Sequence, residues 1–212
     1  MVPHVFASLA DKDVVALSSG CSANHAFFLS RTGEVFALGR NKTGQLGLGD
    51  TSVRAVPELV KALKGKGKFV QAACGRHHSL FLAEDGSVYA AGDNKSGQCG
   101  QSQLSHVYTT PSQVQLGGNK AVSIAAGVDF SLVLLETGAV VSFGSPQYGQ
   151  LGHGTDGQVL EKANKIVFTP QSHPKEIAVL AGKKIVEVVC GNNHSVALSD
   201  QGAVFCWVTM KY

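Results

Sequence analysis

The chain has 212 residues, 44% apolar and 16% charged, with 25 glycines and a formal net charge of +3. This balance excludes disorder, and the mild charge gives no electrostatic reason of its own to expect nucleic acid. No run approaches the ~18 consecutive apolar residues of a membrane-spanning helix, and Met1 to Ala10 lack the charged-then-apolar order of a secretory signal.

Taken in order, the chain writes one pattern several times. Pro3-His4-Val5-Phe6-Ala7-Ser8-Leu9 looks like Pro57-Glu58-Leu59-Val60-Lys61-Ala62-Leu63, so the chain is expected to open on the closing strand of a repeat whose earlier part is absent. A first full copy follows, with Cys21-Ser22-Ala23-Asn24-His25, Gly33, Val35 to Gly39, and Gly44-Gln45-Leu46-Gly47. The second copy has Cys74-Gly75-Arg76-His77-His78, Gly86, Val88 to Gly92, and Gly97-Gln98-Cys99-Gly100. In the third, Ala126-Gly127-Val128-Asp129-Phe130 precedes Gly138, Val140 to Gly144, and Gly149-Gln150-Leu151-Gly152. A fourth opens at Cys190-Gly191-Asn192-Asn193-His194 and loses the pattern at Val208, which predicts a truncated copy. Residues 25, 78, 130 and 194 are 53, 52 and 64 apart, and glycines 33, 86, 138 and 202 repeat those intervals. A period of about 50 residues is that of propeller blades. The repeats are expected at about 14–67, 68–120, 121–184 and 185–212, within one domain.

Each repeat offers four short strands, which in the second copy are Phe69–Ala73, Ser79–Leu82, Val88–Ala91 and Pro111–Leu116. Glu84-Asp85-Gly86 and its counterparts join two apolar runs as a hairpin turn with glycine at positive φ would. Runs such as Ser131 to Leu135 are apolar at successive positions, as a strand covered on both faces is. The expected fold is all-β, an incomplete propeller forming an open arc.

The five cysteines share columns with Ala, Ser or Leu, so each is expected to be a free thiol acting as a small buried hydrophobe. Without a C-x-x-C pair there is no zinc spacing, and a reducing compartment is implied. His25, His78 and His194 recur once per repeat, but Phe130 interrupts the column. They read as residues tying strand to turn by hydrogen bonds, not as metal ligands. Ser79, Ser131 and Ser195 follow that column and mark architecture rather than nucleophiles, and His77 reads as a surface residue. No phosphate-loop motif is present. Neither an enzyme nor a cofactor is expected.

Two connections carry candidate contacts. Lys61, Lys64, Lys66 and Lys68 are candidates for phosphate, in a segment that otherwise reads as a solvated, flexible linker. The connection from His153 to Lys184 is about a dozen residues longer than its counterparts. Its partner-binding candidates are His153, Asp156, Glu161, Lys162, Lys165, Phe168 and Lys175.

The whole pattern resembles the regulator-of-chromosome-condensation repeat: small-Gly-x-x-His, apolar strand, turn Gly, apolar strand, Gly-x-Asn, then Gly-Gln-Leu-Gly. Gly39-Arg40-Asn41 and Gly92-Asp93-Asn94 match it, while Gly144-Ser145-Pro146 departs. The stretch Ser142 to His153, with the long segment after it, is similar to a branch of that family associated with mitosis, the cytoskeleton and small GTPases. The resemblance implies a β-propeller of seven blades when closed. It also implies an interaction scaffold or non-catalytic exchange factor for a small GTPase, in nucleus or cytoplasm. The alternative is a chromatin or nucleic-acid module using the basic loops. An open arc exposes two sheet faces, which points to self-association through unpaired end blades and to poor exchange activity.

Overall fold

A computed structural model describes residues 5–20, 22–104, 106–161 and 165–208. The first blade is a four-stranded sheet of β1 (Val14–Ser19), β2 (His25–Ser30), β3 (Val35–Gly39) and β4 (Arg54–Leu59), in that spatial order. The second repeats it with β5 (Phe69–Cys74), β6 (His78–Ala83), β7 (Val88–Asp93) and β8 (Val107–Gln113). In the third, β9 (Ala121–Ala126), β10 (Phe130–Leu135) and β11 (Val140–Gly144) are followed by a separate hairpin of β12 (Gln158–Glu161) and β13 (Lys165–Phe168). The outer strand β14 (Gln171–Glu176) then completes that sheet. The last blade has three strands among the described residues: β15 (Ile185–Cys190), β16 (Ser195–Ser199) and β17 (Val204–Trp207). Every pairing is antiparallel. This is an incomplete propeller. The described helical elements are single 3-10 turns at Ala7–Leu9, Lys61–Leu63 and Ala178–Leu180.

The outer strand of the second blade differs from the sequence expectation, running Val107–Gln113 rather than from Pro111 to Leu116. Val114 still gives its N–H to the Val88 carbonyl, but its side chain then turns into the core and the strand ends. The Lys61–Lys68 segment is likewise no free linker at its start, because its 3-10 turn buries Leu63.

Blades stack face to face, and the core lies in the layers between them. Phe27, Leu29, Phe69 and Phe81 fill the first layer, Leu80, Ile124, Val133 and Phe143 the second, and Leu132, Leu134, Ile177 and Val188 the third. Stacking decides which strands are covered. β6 and β10 are buried along their whole length, whereas β2 and β16, in the end blades, alternate between buried and half-buried. The two outer faces of the arc show apolar side chains to water, with Leu17 75% and Val204 67% exposed.

Two kinds of glycine explain the repeat. Gly92 closes the third strand at φ +113°, and a Cβ there would lie 2.4 Å from the His77 carbonyl oxygen. Gly75 of the small-Gly-x-x-His element sits under the His78 ring, where a Cβ would be 2.1 Å from Cε1. Phe130 lies over Gly127 in the same way, so that column needs a flat ring rather than a histidine as such.

The histidines tie blade to blade, which corrects the expected strand-to-turn bond. His25 Nε2 is 2.7 Å from Ser79 Oγ in the next blade, and His78 Nε2 is 3.0 Å from Ser131 Oγ. Each serine in turn donates to a Gly-Gln-x-Gly carbonyl of the preceding blade, Ser79 to Gln45 and Ser131 to Gln98, both at 2.8 Å. Since the serine proton is committed, the hydroxyl oxygen accepts from His Nε2–H, and the rings are the neutral Nε2–H tautomer. Ser195 donates to the Gln150 carbonyl without a histidine behind it, and Trp207 Nε1–H shares that carbonyl at 2.8 Å. At the open end His194 is exposed.

Four cysteines are described, and Cys74, Cys99 and Cys206 are free thiols. Cys21 lies outside the described residues. Cys74 and Cys99 are the buried small hydrophobes the columns imply, but Cys190 is only half-buried and Cys206 is exposed. The reason is positional: no described residue covers the outer face of their blade. Burial pushes the Cys74 thiol up to about 12, with a smaller opposing effect from its bond to Ser18, and burial raises Cys99 as well. Native thiol titration near neutral pH is therefore expected to label Cys206 rapidly and to leave Cys74 and Cys99 unlabelled until denaturant is added. Fast native labelling of Cys99 would contradict this packing.

Candidate functional site

Antiparallel order sorts the loops onto two rims. The β1–β2, β5–β6, β9–β10 and β15–β16 loops share one rim with the exits of β3, β7 and β11. The hairpin turns and the connections that lead into β5, β9 and β15 share the other. Backbone bonds sew up the first rim at matching places: Arg40 N–H to the Asn24 carbonyl at 2.8 Å, Asp93 to His77 at 2.9 Å, and Ser145 to Asp129 at 2.8 Å. Neighbouring blades are linked there too, through Arg76 N–H to the Val128 carbonyl at 3.2 Å and Val128 N–H to that of Asn192 at 2.9 Å.

This rim gathers Arg40, Arg76, His77, Asp93 and Asp129 from three blades. His77 is half-buried, and its Nδ1 is enclosed with no hydrogen-bond partner among the described residues. Its pKa is lowered, first by burial and then by Arg76, with Asp129 opposing. The Asp129 carboxyl is raised, again chiefly by burial, while His77 pulls it back. Asp93 is 8% exposed. A neutral imidazole and a carboxylate held short of full solvation, with two guanidinium groups alongside, can both donate to and accept from a polar protein surface. From sequence His77 reads as ordinary surface. The signal that could have found it is its place one residue before the ring column, where Asn24, Asp129 and Asn193 are also polar.

The long third connection leaves from the same rim and folds into the β12–β13 hairpin. Glu161 faces Lys165 across it, and Gln158 faces Phe168. Asp156 caps the approach, its Oδ1 accepting from Gln158 N–H at 3.0 Å. Lys162 lies outside the described residues. His153 and Lys175 belong to the root of the connection rather than to the hairpin. His153 Nε2 lies 2.9 Å from Ser142 Oγ and 3.3 Å from the Lys175 carbonyl, and burial lowers its pKa. The candidates read from the sequence here are polar or charged residues and Phe168, and they leave out Val159, Leu160 and Ile166, which are 47%, 64% and 51% exposed. Leu160 and Ile166 stand directly opposite each other. Such a cross-strand apolar pair in water is what a docking hairpin presents.

The four lysines are on the opposite rim and do not converge. Lys66 Nζ sits 4.7 Å over the Tyr89 ring and 3.4 Å from the Pro111 carbonyl, while Lys68 Nζ pairs with Glu84 at 3.4 Å. Lys61 and Lys64 are exposed.

The His–Ser pairs have the separation of a nucleophile and its base, but they cannot act as one. Ser79 and Ser131 are wholly buried, and each gives its proton to a backbone carbonyl rather than to the imidazole. No group of three or more His, Cys, Asp or Glu side chains among the described residues could hold a metal ion.

Fold and rims together define a propeller whose blades are built from an approximately 50-residue repeat. The family model for the regulator of chromosome condensation (RCC1) repeat matches residues 32–82, 85–134 and 137–198, and the chain belongs to that family. It is 38% identical over 97% of its length to the protein RCC2 homolog of Danio rerio, covering 44% of that protein. Against human protein RCC2 the identity is 36%, covering 97% of the chain and 41% of the relative. Among solved structures, Prp20p of Saccharomyces cerevisiae superimposes with a TM-score of 0.78 at 25% identity, covering 94% of this chain and 46% of that one. The chain thus spans less than half the length of these relatives.

Proposed function

We propose that this chain is a non-catalytic interaction module that engages a small GTPase through the rim carrying His77, Asp129 and the β12–β13 hairpin. The observation that carries this reading is the meeting, on one rim, of a partly desolvated charged cluster and an exposed apolar pair, Leu160 and Ile166. The yeast relative is described by its binding to Gsp1p and to histones, which supports a protein partner of either kind. The lysine rim supports chromatin less well, because Lys66 and Lys68 already have partners. Exchange needs no acid–base chemistry: a protein that binds the nucleotide-free GTPase better than the loaded form promotes release by that difference alone.

The test is binding to a panel of nucleotide-free small GTPases and, separately, to histones. Leu160→Asp combined with Ile166→Asp changes only exposed side chains, and is expected to weaken GTPase binding by about tenfold or more. Lys61→Ala with Lys64→Ala is expected to leave it unchanged. If the lysine variant alone loses binding, or if the chain binds histones and no GTPase, the reading is wrong.

A further inference from the structure

In the first two blades an asparagine ties the connection that follows the Gly-Gln-x-Gly turn back to its rim. Asn41 Nδ2 donates to the Asp50 carbonyl at 2.9 Å, and Asn94 Nδ2 donates to the carbonyls of Gln101 and Gln103 at 2.9 and 3.0 Å. Their Oδ1 atoms accept from the turn itself, from Leu46 N–H at 2.9 Å and Cys99 N–H at 3.0 Å. Both side chains are wholly buried. The third blade has Pro146 in this column, and a proline side chain can make none of these bonds. Its connection starts without the tie that folds the other two back, and it is this one that runs out as a hairpin.

A different fastening takes the place of the asparagine. Ser142 Oγ on β11 donates to the Leu151 carbonyl at 2.7 Å. With that proton committed, the hydroxyl oxygen accepts from His153, whose Nε2 is 2.9 Å away and also 3.3 Å from the Lys175 carbonyl on β14. One N–H thus joins the first residue of the connection to the strand before it and the strand after it. The pair is peculiar to this blade: Leu48 and Gln101 stand in the column of His153, and Ala37 and Ala90 in that of Ser142. Further out, the base of the hairpin rests on Pro146. A Cβ on Gly157 would lie 2.7 Å from Pro146 Cγ, and Thr169 N–H crosses to the Gly157 carbonyl at 2.9 Å. Beyond that bond β12 and β13 pair only with each other among the described residues.

We propose that His153 is the positioning residue of the β12–β13 hairpin: its bonds to β11 and β14 set the angle at which Leu160 and Ile166 are held out from the rim. The inference rests on the reading of that hairpin as a partner contact, and His153 acts through the hairpin without touching the partner. A two-stranded hairpin by itself is marginal in water. Pinned at its root, the arm meets a partner already ordered, so less ordering is left to be done on binding.

Two substitutions separate the bond from the bulk. His153→Leu removes the donor and installs the residue that the first blade has in this column. His153→Gln keeps a donor, as Gln101 does when its Nε2 donates to the Gln113 carbonyl on β8 at 2.9 Å. Amide hydrogen exchange is followed at residues 158–161 and 165–169, with β9 and β10 as the internal reference. His153→Leu is expected to speed exchange in the hairpin by about threefold or more and to leave β9 and β10 unchanged, while His153→Gln stays close to the unaltered chain. For the GTPase of the panel that the unaltered chain binds most tightly, His153→Leu is expected to weaken binding by about fivefold and His153→Gln to restore it. Unchanged hairpin exchange in His153→Leu overturns the proposal, as does a glutamine variant as loose as the leucine one. Faster exchange throughout β9 and β10 also overturns it, since His153 would then hold the blade and not the arm. Should no GTPase bind the unaltered chain, the partner reading fails, and the exchange pattern alone decides whether His153 sets the hairpin.

Discussion

Lowering the pH from about 8 to about 5 is expected to remove about 4 kcal/mol of folding stability, about 2 kcal/mol from each of His25 and His78. Burial lowers His25 to about 4, with the nearby His77 adding to it. Burial also lowers His78 to about 3, with His25 and His77 adding. The geometry gives the reason. Each ring spends Nε2–H on a serine hydroxyl in the next blade, and its Nδ1 is enclosed without a partner among the described residues. A second proton would thus be buried unpaired at His25, and at His78 it would find only the Phe130 backbone, which opposes the lowering without outweighing burial. With folded pKa values below the unfolded value near 6.5, the unfolded chain binds more protons between these limits. The stability is fully present above about 6.5 and falls as the pH drops toward 4 and 3, where it levels off. Asp129, whose carboxyl is raised by burial, opposes the trend in part. Urea unfolding at both pH values measures the difference. His78→Asn should be less stable at pH 8, and its loss between the two pH values should be smaller by about 2 kcal/mol. An unfolding midpoint that does not move with pH would refute this account of the latches.

Gly92→Ala is expected to destabilise the chain by about 3 kcal/mol or more, through backbone strain and steric conflict together. Its φ of +113° disfavours any side chain, and the new Cβ would lie 2.4 Å from the His77 carbonyl oxygen and 2.6 Å from His78 Cα. Both obstacles are backbone, one on the fully buried β6 and the other at His77 just before it, so neither can swing aside. The third strand would have to part from β6 at the point where Asp93 N–H bonds to His77. Gly118→Ala is the control. It shares a positive φ, +86°, but meets nothing within 4 Å. Its cost is expected to be about 1 kcal/mol, the strain of the left-handed conformation by itself. Equal losses at the two positions, read from thermal or urea unfolding, would show that the close approach at Gly92 carries no weight. A loss at Gly92 should also weaken partner binding in the proposed reading, since His77 and Asp93 both hang from that junction.

Much of the fold was legible in the repeat. Apolar runs without alternation, as in Ser131 to Leu135, imply strands covered on both faces, and β10 is buried throughout. The turn glycines mark the hairpins because a two-strand turn with the right twist needs positive φ, and Gly33, Gly86, Gly138 and Gly202 all have it. These are demands that each blade makes on its own chain, so they recur with the period and can be counted. What the sequence could not settle were the relations between blades. The recurrence of Ser after the ring column was visible, but that Ser79 takes its bond from His25 and Ser131 from His78 depends on how one sheet lies over the next. Stacking likewise decided that Cys206 is exposed although its column is buried elsewhere, since the same residue changes environment at the end of an arc. His77 and Asp129 are 52 residues apart and meet only because two loops share a rim. The apolar pair Leu160 and Ile166 became a surface feature only once their segment folded outward as a hairpin instead of joining a sheet. Local periodicity dictates each blade, whereas the site belongs to the rim, and a rim exists only in the assembled tertiary structure.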